Sequence, residues 1–90
     1  MIEGQQQTEE PGFIVDAEGP EGIFGVFEDD GETGYLYIYE PDGAGITQHL
    51  HIYDRSALSI AIEKKDVSVD WQGNKCSVAI GGLRRGTIEL

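Results

Sequence analysis

The sequence predicts a mainly β fold, an antiparallel meander that forms a small sandwich or a partly open barrel. Its apolar residues recur at a spacing of two, and clusters of Gly, Pro, Asp and Asn separate them roughly every eight to twelve residues. No stretch shows a long helical period. About seven short strands follow from this pattern, which is typical of small all-β proteins.

The ordered part of the chain is expected to begin near Gly12. Residues 1–11, MIEGQQQTEEP, are polar, have no periodicity and end in proline. Such a segment buries too little apolar surface to offset the entropy of ordering, so we expect a disordered or loosely attached arm. The remaining residues, 12–90, are expected to form a single β-rich domain with one modest core.

Four strands are predicted in the first half of the chain. They cover approximately residues 13–16, 23–28, 35–40 and 46–53. Asp29 to Thr33 join the second strand to the third. Glycine takes a positive φ there without steric cost and aspartate can bond its own backbone, so this junction predicts a hairpin. The PDGAG segment at 41–45 is the next loop.

The second half is read as a further set of hairpins. Residues 58–62 alternate, and across a loop at 63–66 they would pair apolar side chains with Val67, Val69 and Trp71. A short helix near residues 56–64 is the alternative, because some of the same apolar residues also share a helical face.

The chain then predicts two closing strands. A turn at 72–74 leads to a strand over 76–80, which Gly81 and Gly82 interrupt. Residues 88–90 are read as a last strand at a sheet edge.

Acidic residues are unevenly distributed. The net charge is −11, and residues 1–54 hold thirteen Asp and Glu and no Lys or Arg, whereas residues 55–90 hold six basic and four acidic residues. This balance disfavours binding to nucleic acid or to an anionic membrane. Either the acids keep the chain soluble, or they form a face that attracts a basic protein.

The third and fourth strands predict a shared face of tyrosine and histidine. If Leu36 pairs with Leu50 and Ile38 with Gln48, the aliphatic residues lie on one side of the sheet and the aromatic residues on the other. The predicted strip contains Tyr35, Tyr37, Tyr39, His49, His51 and Tyr53. Together with the acids Glu28, Asp29, Asp30 and Glu32, it is the candidate partner-binding surface. The alternative is an ordinary wet face of an antiparallel sheet.

Catalytic and metal motifs are weak in this sequence. His49 and His51 are weak candidates for metal ligands, but a lone His-x-His falls short of the usual three or four. Cys76 shares a strand face with apolar residues, which predicts a buried side chain. No nucleophile motif, phosphate loop or dinucleotide fingerprint is present, so neither catalysis nor a cofactor is expected. A single cysteine and the lack of an export or membrane signal indicate a cytoplasmic protein.

Several segments carry a family resemblance. They are FEDDGETGYLYIYE, HLHIYDRS, DVSVDWQGNKCSVAIGG and RGTIEL, and the most specific run extends from Phe27 to Tyr37. The chain resembles a family of small, acidic, uncharacterised bacterial proteins, a domain of unknown function. The resemblance implies a bacterial, cytosolic, β-rich protein and no activity.

Three functions remain open on the sequence. The first is a non-enzymatic module, inhibitor-like or immunity-like, that binds a basic protein through the acidic face and the strip. The second is a small-ligand or metal-binding module that uses the same side chains. The third is a structural homodimer.

Overall fold

The protein folds as two antiparallel sheets packed face to face. The computed structural model describes residues 12–43 and 45–90. Sheet A contains, in spatial order, β1 (Phe13–Glu18), β2 (Phe24–Asp29), β3 (Thr33–Tyr39) and β4 (Ile46–Asp54); sheet B contains β5 (Val67–Gln72), β6 (Lys75–Ile80) and β7 (Leu83–Glu89). β1 lies against β5 and β4 lies against β7. The predicted class is confirmed as an open sandwich, and the arm predicted at 1–11 lies outside the described residues.

The hairpin predicted between β2 and β3 is confirmed. The carboxylate of Asp30 accepts hydrogen bonds from the backbone N–H groups of Glu32 (2.9 Å) and Thr33 (2.8 Å). Gly31 has φ 98°, a conformation that favours glycine. The local chemistry that predicted the turn is therefore what closes it.

Both sheets contribute their inward-facing residues to one core. The buried apolar residues of sheet A are Phe27, Leu36, Ile38 and Tyr53, and those of sheet B are Val67, Val69, Cys76, Val78, Ile80 and Ile88. Close approach of the sheets requires Gly25, because a Cβ at this position would collide with the sulfur of Cys76. The alternating apolar residues of the strands thus form the core, as the sequence predicted.

The pairing predicted for β3 and β4 is confirmed in its central part. Leu36 lies opposite Leu50 and Ile38 opposite Gln48. The register shifts on either side of this stretch, so that β4 has one extra residue at Thr47 and another at Ile52. Bulges of this kind reverse the face on which the following side chains lie.

The hairpin predicted from residues 58–62 is wrong. This segment has neither strand nor helix; it connects two 3-10 turns, Arg55–Ala57 and Lys64–Asp66. Ile62 is buried, whereas Ile60 is 73% exposed. The segment crosses from sheet A to sheet B. Its alternating apolar residues do not form a paired strand, and Ile62 is the residue that anchors the segment in the core. The short helix considered for 56–64 is also absent as a continuous element in this described segment.

The last strand is longer than predicted. β7 begins at Leu83, directly after Gly81 and Gly82, whose φ values are 60° and 87°. It forms one edge of sheet B, as expected. None of the helical turns in the described ranges has the length and apolar character needed to cross a membrane.

Candidate partner-binding face

The side of sheet A that faces away from sheet B is a broad aromatic and acidic surface, here called the outer face. The strand registers place three rows of four residues across it: Ile14, Glu28, Tyr35 and His51; Asp16, Val26, Tyr37 and His49; Glu18, Phe24, Tyr39 and Ile46. Ile14 is 51% and Ile46 47% exposed. Among these twelve side chains there is no Lys or Arg.

The three tyrosines form a ladder along β3. The rings of Tyr35 and Tyr37 are stacked, with centroids 5.7 Å apart and an interplanar angle of 12°. Tyr37 and Tyr39 meet edge to face at 6.5 Å. Burial, followed by the charge of Glu28, raises the pKa of Tyr37 above its ordinary value of 10.0. The ladder is thus a preorganised, half-buried apolar stripe with hydroxyl groups at its surface.

The histidines extend this ladder onto β4. The His51 ring lies 5.2 Å from that of Tyr35 and the His49 ring 6.0 Å. His51 Nε2 is hydrogen-bonded to Asp54 Oδ1 at 2.9 Å. No group of three or more His, Cys, Asp or Glu side chains in the described ranges is arranged to hold a metal ion. The strip predicted from the sequence is therefore assembled for five of its six members.

The predicted place of Tyr53 is wrong. The bulge at Ile52 turns Tyr53 into the core, where it is 5% exposed and its ring centroid lies 5.8 Å from that of Phe27. Gly34 lies opposite, and a Cβ there would come within 2.8 Å of both rings. The missing side chain of Gly34 makes the space that the tyrosine fills.

Asp29 is not part of an acidic surface either. It is 1% exposed and accepts hydrogen bonds from the Tyr53 hydroxyl and from the Gly31 N–H (2.8 Å). Arg55 Nε lies 3.0 and 2.9 Å from its two carboxylate oxygens, and Arg55 Nη2 forms an ion pair with Oδ2 at 2.9 Å. Arg55 also donates to the carbonyl of Ile62 at 3.3 Å. This buried cluster joins β2, the end of β4 and the connection to sheet B.

The pKa values of the cluster follow from these contacts. Burial alone would raise the pKa of Asp29, but hydrogen bonds from Arg55, Tyr53 and Gly31 and the charge of Arg55 outweigh it and hold the pKa below 3.8. Burial and the adjacent carboxylate raise the pKa of Tyr53. The carboxylate therefore stays ionised and the phenol stays protonated at neutral pH.

The other predicted acids lie at three different places. Glu28 is on the outer face beside Tyr35. Asp30 and Glu32 are exposed in the β2–β3 turn, where the N–H groups of Thr33 and Glu32 lower the pKa of Asp30. Thus one of the four candidate acids borders the tyrosine ladder directly.

Cys76 is fully buried, as predicted. Its relative exposure is 0%, and burial, with a smaller effect of Asp70, raises the pKa of its thiol to about 11. A neutral, inaccessible thiol is a poor nucleophile. The side chain therefore contributes to the core.

Sequence reasoning missed the part of the outer face that comes from β1 and from Phe24 and Val26 of β2. Phe24, Val26 and Tyr39 line a groove of about 370 Å³ beside the β3–β4 loop, together with Asp16 and Glu40. The alternation in FGVFED carried the signal. If Phe27 lies in the core, Phe24 and Val26 both lie on the opposite face of the strand, which is the face of the tyrosines.

Fold and surface together define a class: a small antiparallel β sandwich with one layer that is aromatic and acidic on its outside.

The chain belongs to the bacterial family described as "Uncharacterized protein conserved in bacteria (DUF2251)", whose sequence profile matches residues 7–86. The family resemblance is thereby confirmed, and no catalytic role is assigned to the family. No curated protein and no solved structure matches the chain.

Proposed function

We propose that this protein is a non-enzymatic module that binds a basic protein through the outer face of sheet A. The observation that carries the proposal is the combination on one sheet face of three tyrosines in a ladder with Asp16, Glu18 and Glu28, and no Lys or Arg. Aromatic faces attract ammonium and guanidinium groups, and carboxylates bind the same groups. The face therefore suits Lys and Arg side chains.

The geometry supports a specific contact rather than diffuse attraction. The ring stack of Tyr35 and Tyr37 holds both side chains in place, so little rotamer entropy is lost when a partner packs on them. Tyrosine is among the residue types that dominate binding energies at interfaces. A single cation over such a ring contributes about 0.5 to 2 kcal/mol, depending on how far it is desolvated.

The groove beside Tyr39 supplies a place for one anchoring side chain. Its lining includes the half-buried side chains of Phe24 and Val26 and the exposed carboxylates of Asp16 and Glu40. The aliphatic stem of a Lys or Arg suits the apolar side chains, and its charged end suits the carboxylates. This arrangement favours a partner with at least one protruding basic residue.

An inhibitor-like or immunity-like role is consistent with this chemistry. A protein that neutralises a basic effector needs rapid capture, and complementary charge raises association rates by one to three orders of magnitude. Ten of the thirteen acids in residues 1–54 are in the described part of the chain, and they lie on or around sheet A. The attraction is therefore directed toward the layer that carries the proposed face.

Affinity capture with matched variants tests the proposal. The purified chain is immobilised, and Tyr37→Ser and the double variant Asp16→Lys, Glu28→Lys are compared with the double variant Asp70→Lys, Glu89→Lys, which makes the same charge change at two exposed positions on sheet B. We expect a basic protein that is retained at low salt by the wild type and by the sheet B variant and is lost from both outer-face variants.

Two results would contradict the proposal. One is retention of the same basic protein by the outer-face variants. The other is that retention of the captured proteins does not fall as salt is raised. Contacts between exposed charges are screened over about 10 Å at 0.1 M salt, so binding by charge must weaken. Circular dichroism of each variant verifies that it is folded.

A further inference from the structure

In the part of the chain that the structure describes, one edge strand of the sandwich is charged only at its last residue, Asp54, whereas the other three carry charges within the strand. The edge strands are β1 and β4 of sheet A and β5 and β7 of sheet B. β1 carries Asp16 and Glu18, β5 carries Asp70, and β7 carries two arginines and a glutamate. In β4, the stretch Ile46–Tyr53, ITQHLHIY, contains no Asp, Glu, Lys, Arg, Pro or Gly. Charges and prolines normally prevent edge strands from pairing with other chains.

The backbone of β4 is also accessible. Among the described residues β4 forms its ladder with β3 alone, so alternate N–H and C=O groups on its other side face outward. The side chains from Ile46 to His49 and that of His51 are exposed. β4 is therefore both chemically and sterically open to a further strand.

The sequence of β4 is self-complementary about Leu50. In an antiparallel pair of two β4 strands related by a twofold axis at Leu50, His49 of one copy lies opposite His51 of the other. Gln48 then lies opposite Ile52, and no carboxylate, ammonium or guanidinium group meets its like within the stretch Ile46–Tyr53. Both histidines are on the outer face, so the two outer faces become continuous.

We propose that two copies of this chain associate through β4 and form one eight-stranded antiparallel sheet from their two A sheets. The occupant of the open edge is thus a second copy of the same protein. The inference is independent of the proposed partner, because pairing at β4 leaves the tyrosine ladder and the groove uncovered.

Charge repulsion does not prevent this association. The only acid on β4 is Asp54 at its end, which lies opposite Ile46 of the other copy, and the acids of β1 and β2 lie far from the joint. Glu28 lies on β2, so the two Glu28 side chains of a dimer are separated by five strand spacings, about 24 Å. The Debye length at physiological ionic strength is about 8 Å. Repulsion between the copies is therefore largely screened, and dimerisation should strengthen as salt rises, opposite to the salt dependence of the basic partner.

The bulges of β4 limit the assembly to a pair. The extra residues at Thr47 and Ile52 interrupt the regular ladder on both sides of Gln48–His51. A short regular segment related by a twofold axis closes on itself and does not propagate into a fibre. The small joint implies a weak dimer, since stable interfaces usually bury more than about 1,200 Å².

Sedimentation equilibrium of the purified protein tests the proposal. We compare the wild type with His49→Lys on β4 and with Ser68→Lys, an exposed position on the edge strand β5. The wild type and Ser68→Lys should show a monomer–dimer equilibrium, and His49→Lys should weaken it at least about tenfold. A wild type that remains monomeric up to about millimolar concentration would overturn the proposal, and an extended segment of another protein would then be the occupant of the edge. Equal weakening of the dimer by both variants would also overturn it.

Cross-linking tests the register and does not depend on a lysine variant. Residues 49 and 51 lie opposite each other across the proposed joint, within disulfide range, whereas two residues 49 are offset by about 7 to 8 Å. A mixture of His49→Cys and His51→Cys should therefore form disulfide-linked dimers under a mild oxidant faster than either variant alone. Equal rates in the mixture and in the single variants would exclude this register.

Discussion

The carboxylate of Asp29 is buried with Tyr53 and Arg55, and each of the three comes from a different part of the chain. Asp29 ends β2, Tyr53 lies at the bulge of β4, and Arg55 begins the connection to sheet B. A buried charge is tolerated only where it is paired and hydrogen-bonded. The cluster therefore fixes the relative positions of these three segments.

Removing Arg55 should destabilise the protein more than removing any exposed arginine. Arg55→Met leaves the Asp29 carboxylate buried without its cation, which costs about 3 to 5 kcal/mol. Arg84→Met, at an exposed position on β7, is the control and should change the free energy of unfolding by less than about 0.5 kcal/mol. Urea unfolding followed by circular dichroism measures both. A loss below about 1 kcal/mol for Arg55→Met would show that the ion pair is not structural.

The contribution of this cluster should disappear in acid. The pKa of Asp29 is lowered in the folded protein, so its stabilisation is present above the unfolded pKa near 3.9 and is lost as pH falls through the lower folded value. The wild type is compared with the double variant Asp29→Asn, Arg55→Met. The difference between their free energies of unfolding should be constant from pH 7 to about 5 and should shrink below about pH 4. A difference that grows with acidity would contradict the assignment. Thermal unfolding at each pH supplies the measurement.

At the scale of elements, strand alternation predicted most of the fold, including the β2–β3 hairpin and the central register of β3 and β4. It failed where one residue changes the face. The sequence of β4 contains no feature that predicts the bulge at Ile52. Only Gly34, which lies opposite Tyr53 on β3, indicates the space that Tyr53 fills. Asp29 was predictable in hindsight, because it is two residues from Phe27 and so shares the core face.

The segment 58–62 shows a different limit. Three apolar residues at a spacing of two satisfy a strand pattern, but an irregular connection with one inward anchor satisfies it too. What decides between them is the anchoring of Arg55 on Asp29 and on the Ile62 carbonyl, a long-range arrangement that local periodicity does not contain.

Substitutions in this segment should separate the two interpretations. Ile60 is 73% exposed, so Ile60→Lys should change the free energy of unfolding by less than about 0.5 kcal/mol, whereas Ile62→Ala empties a buried site and should cost about 2 to 5 kcal/mol. In a hairpin with Val69 opposite Ile60, both changes would be costly. Denaturant midpoints of the two variants decide.

For the whole molecule, the acid excess is concentrated in one layer. The described acids that precede Arg55 lie on or around sheet A, and every Lys and Arg lies in or after the connection to sheet B. Self-repulsion within sheet A opposes folding, and mobile ions weaken that repulsion.

Salt should therefore stabilise the isolated protein. The midpoint of thermal unfolding is expected to rise by a few degrees between about 0.02 M and 0.5 M NaCl, at a protein concentration low enough to keep the chain monomeric. Asp16→Asn with Glu18→Gln should reduce this increase, because both side chains lie on the outer face of sheet A. Asp70→Asn with Glu89→Gln, two exposed acids on sheet B, is the control that removes the same charge. A midpoint that falls with NaCl would contradict the role of self-repulsion.

Two stacked layers of unequal charge also make the molecule an electric dipole. The layers of a β sandwich are about 10 Å apart, so the negative end coincides with sheet A and its tyrosine ladder. In the field of a positively charged body such a molecule rotates before contact until sheet A leads. The separation of charge between the sheets thus orients the protein during approach, at distances where no side chain yet touches another molecule.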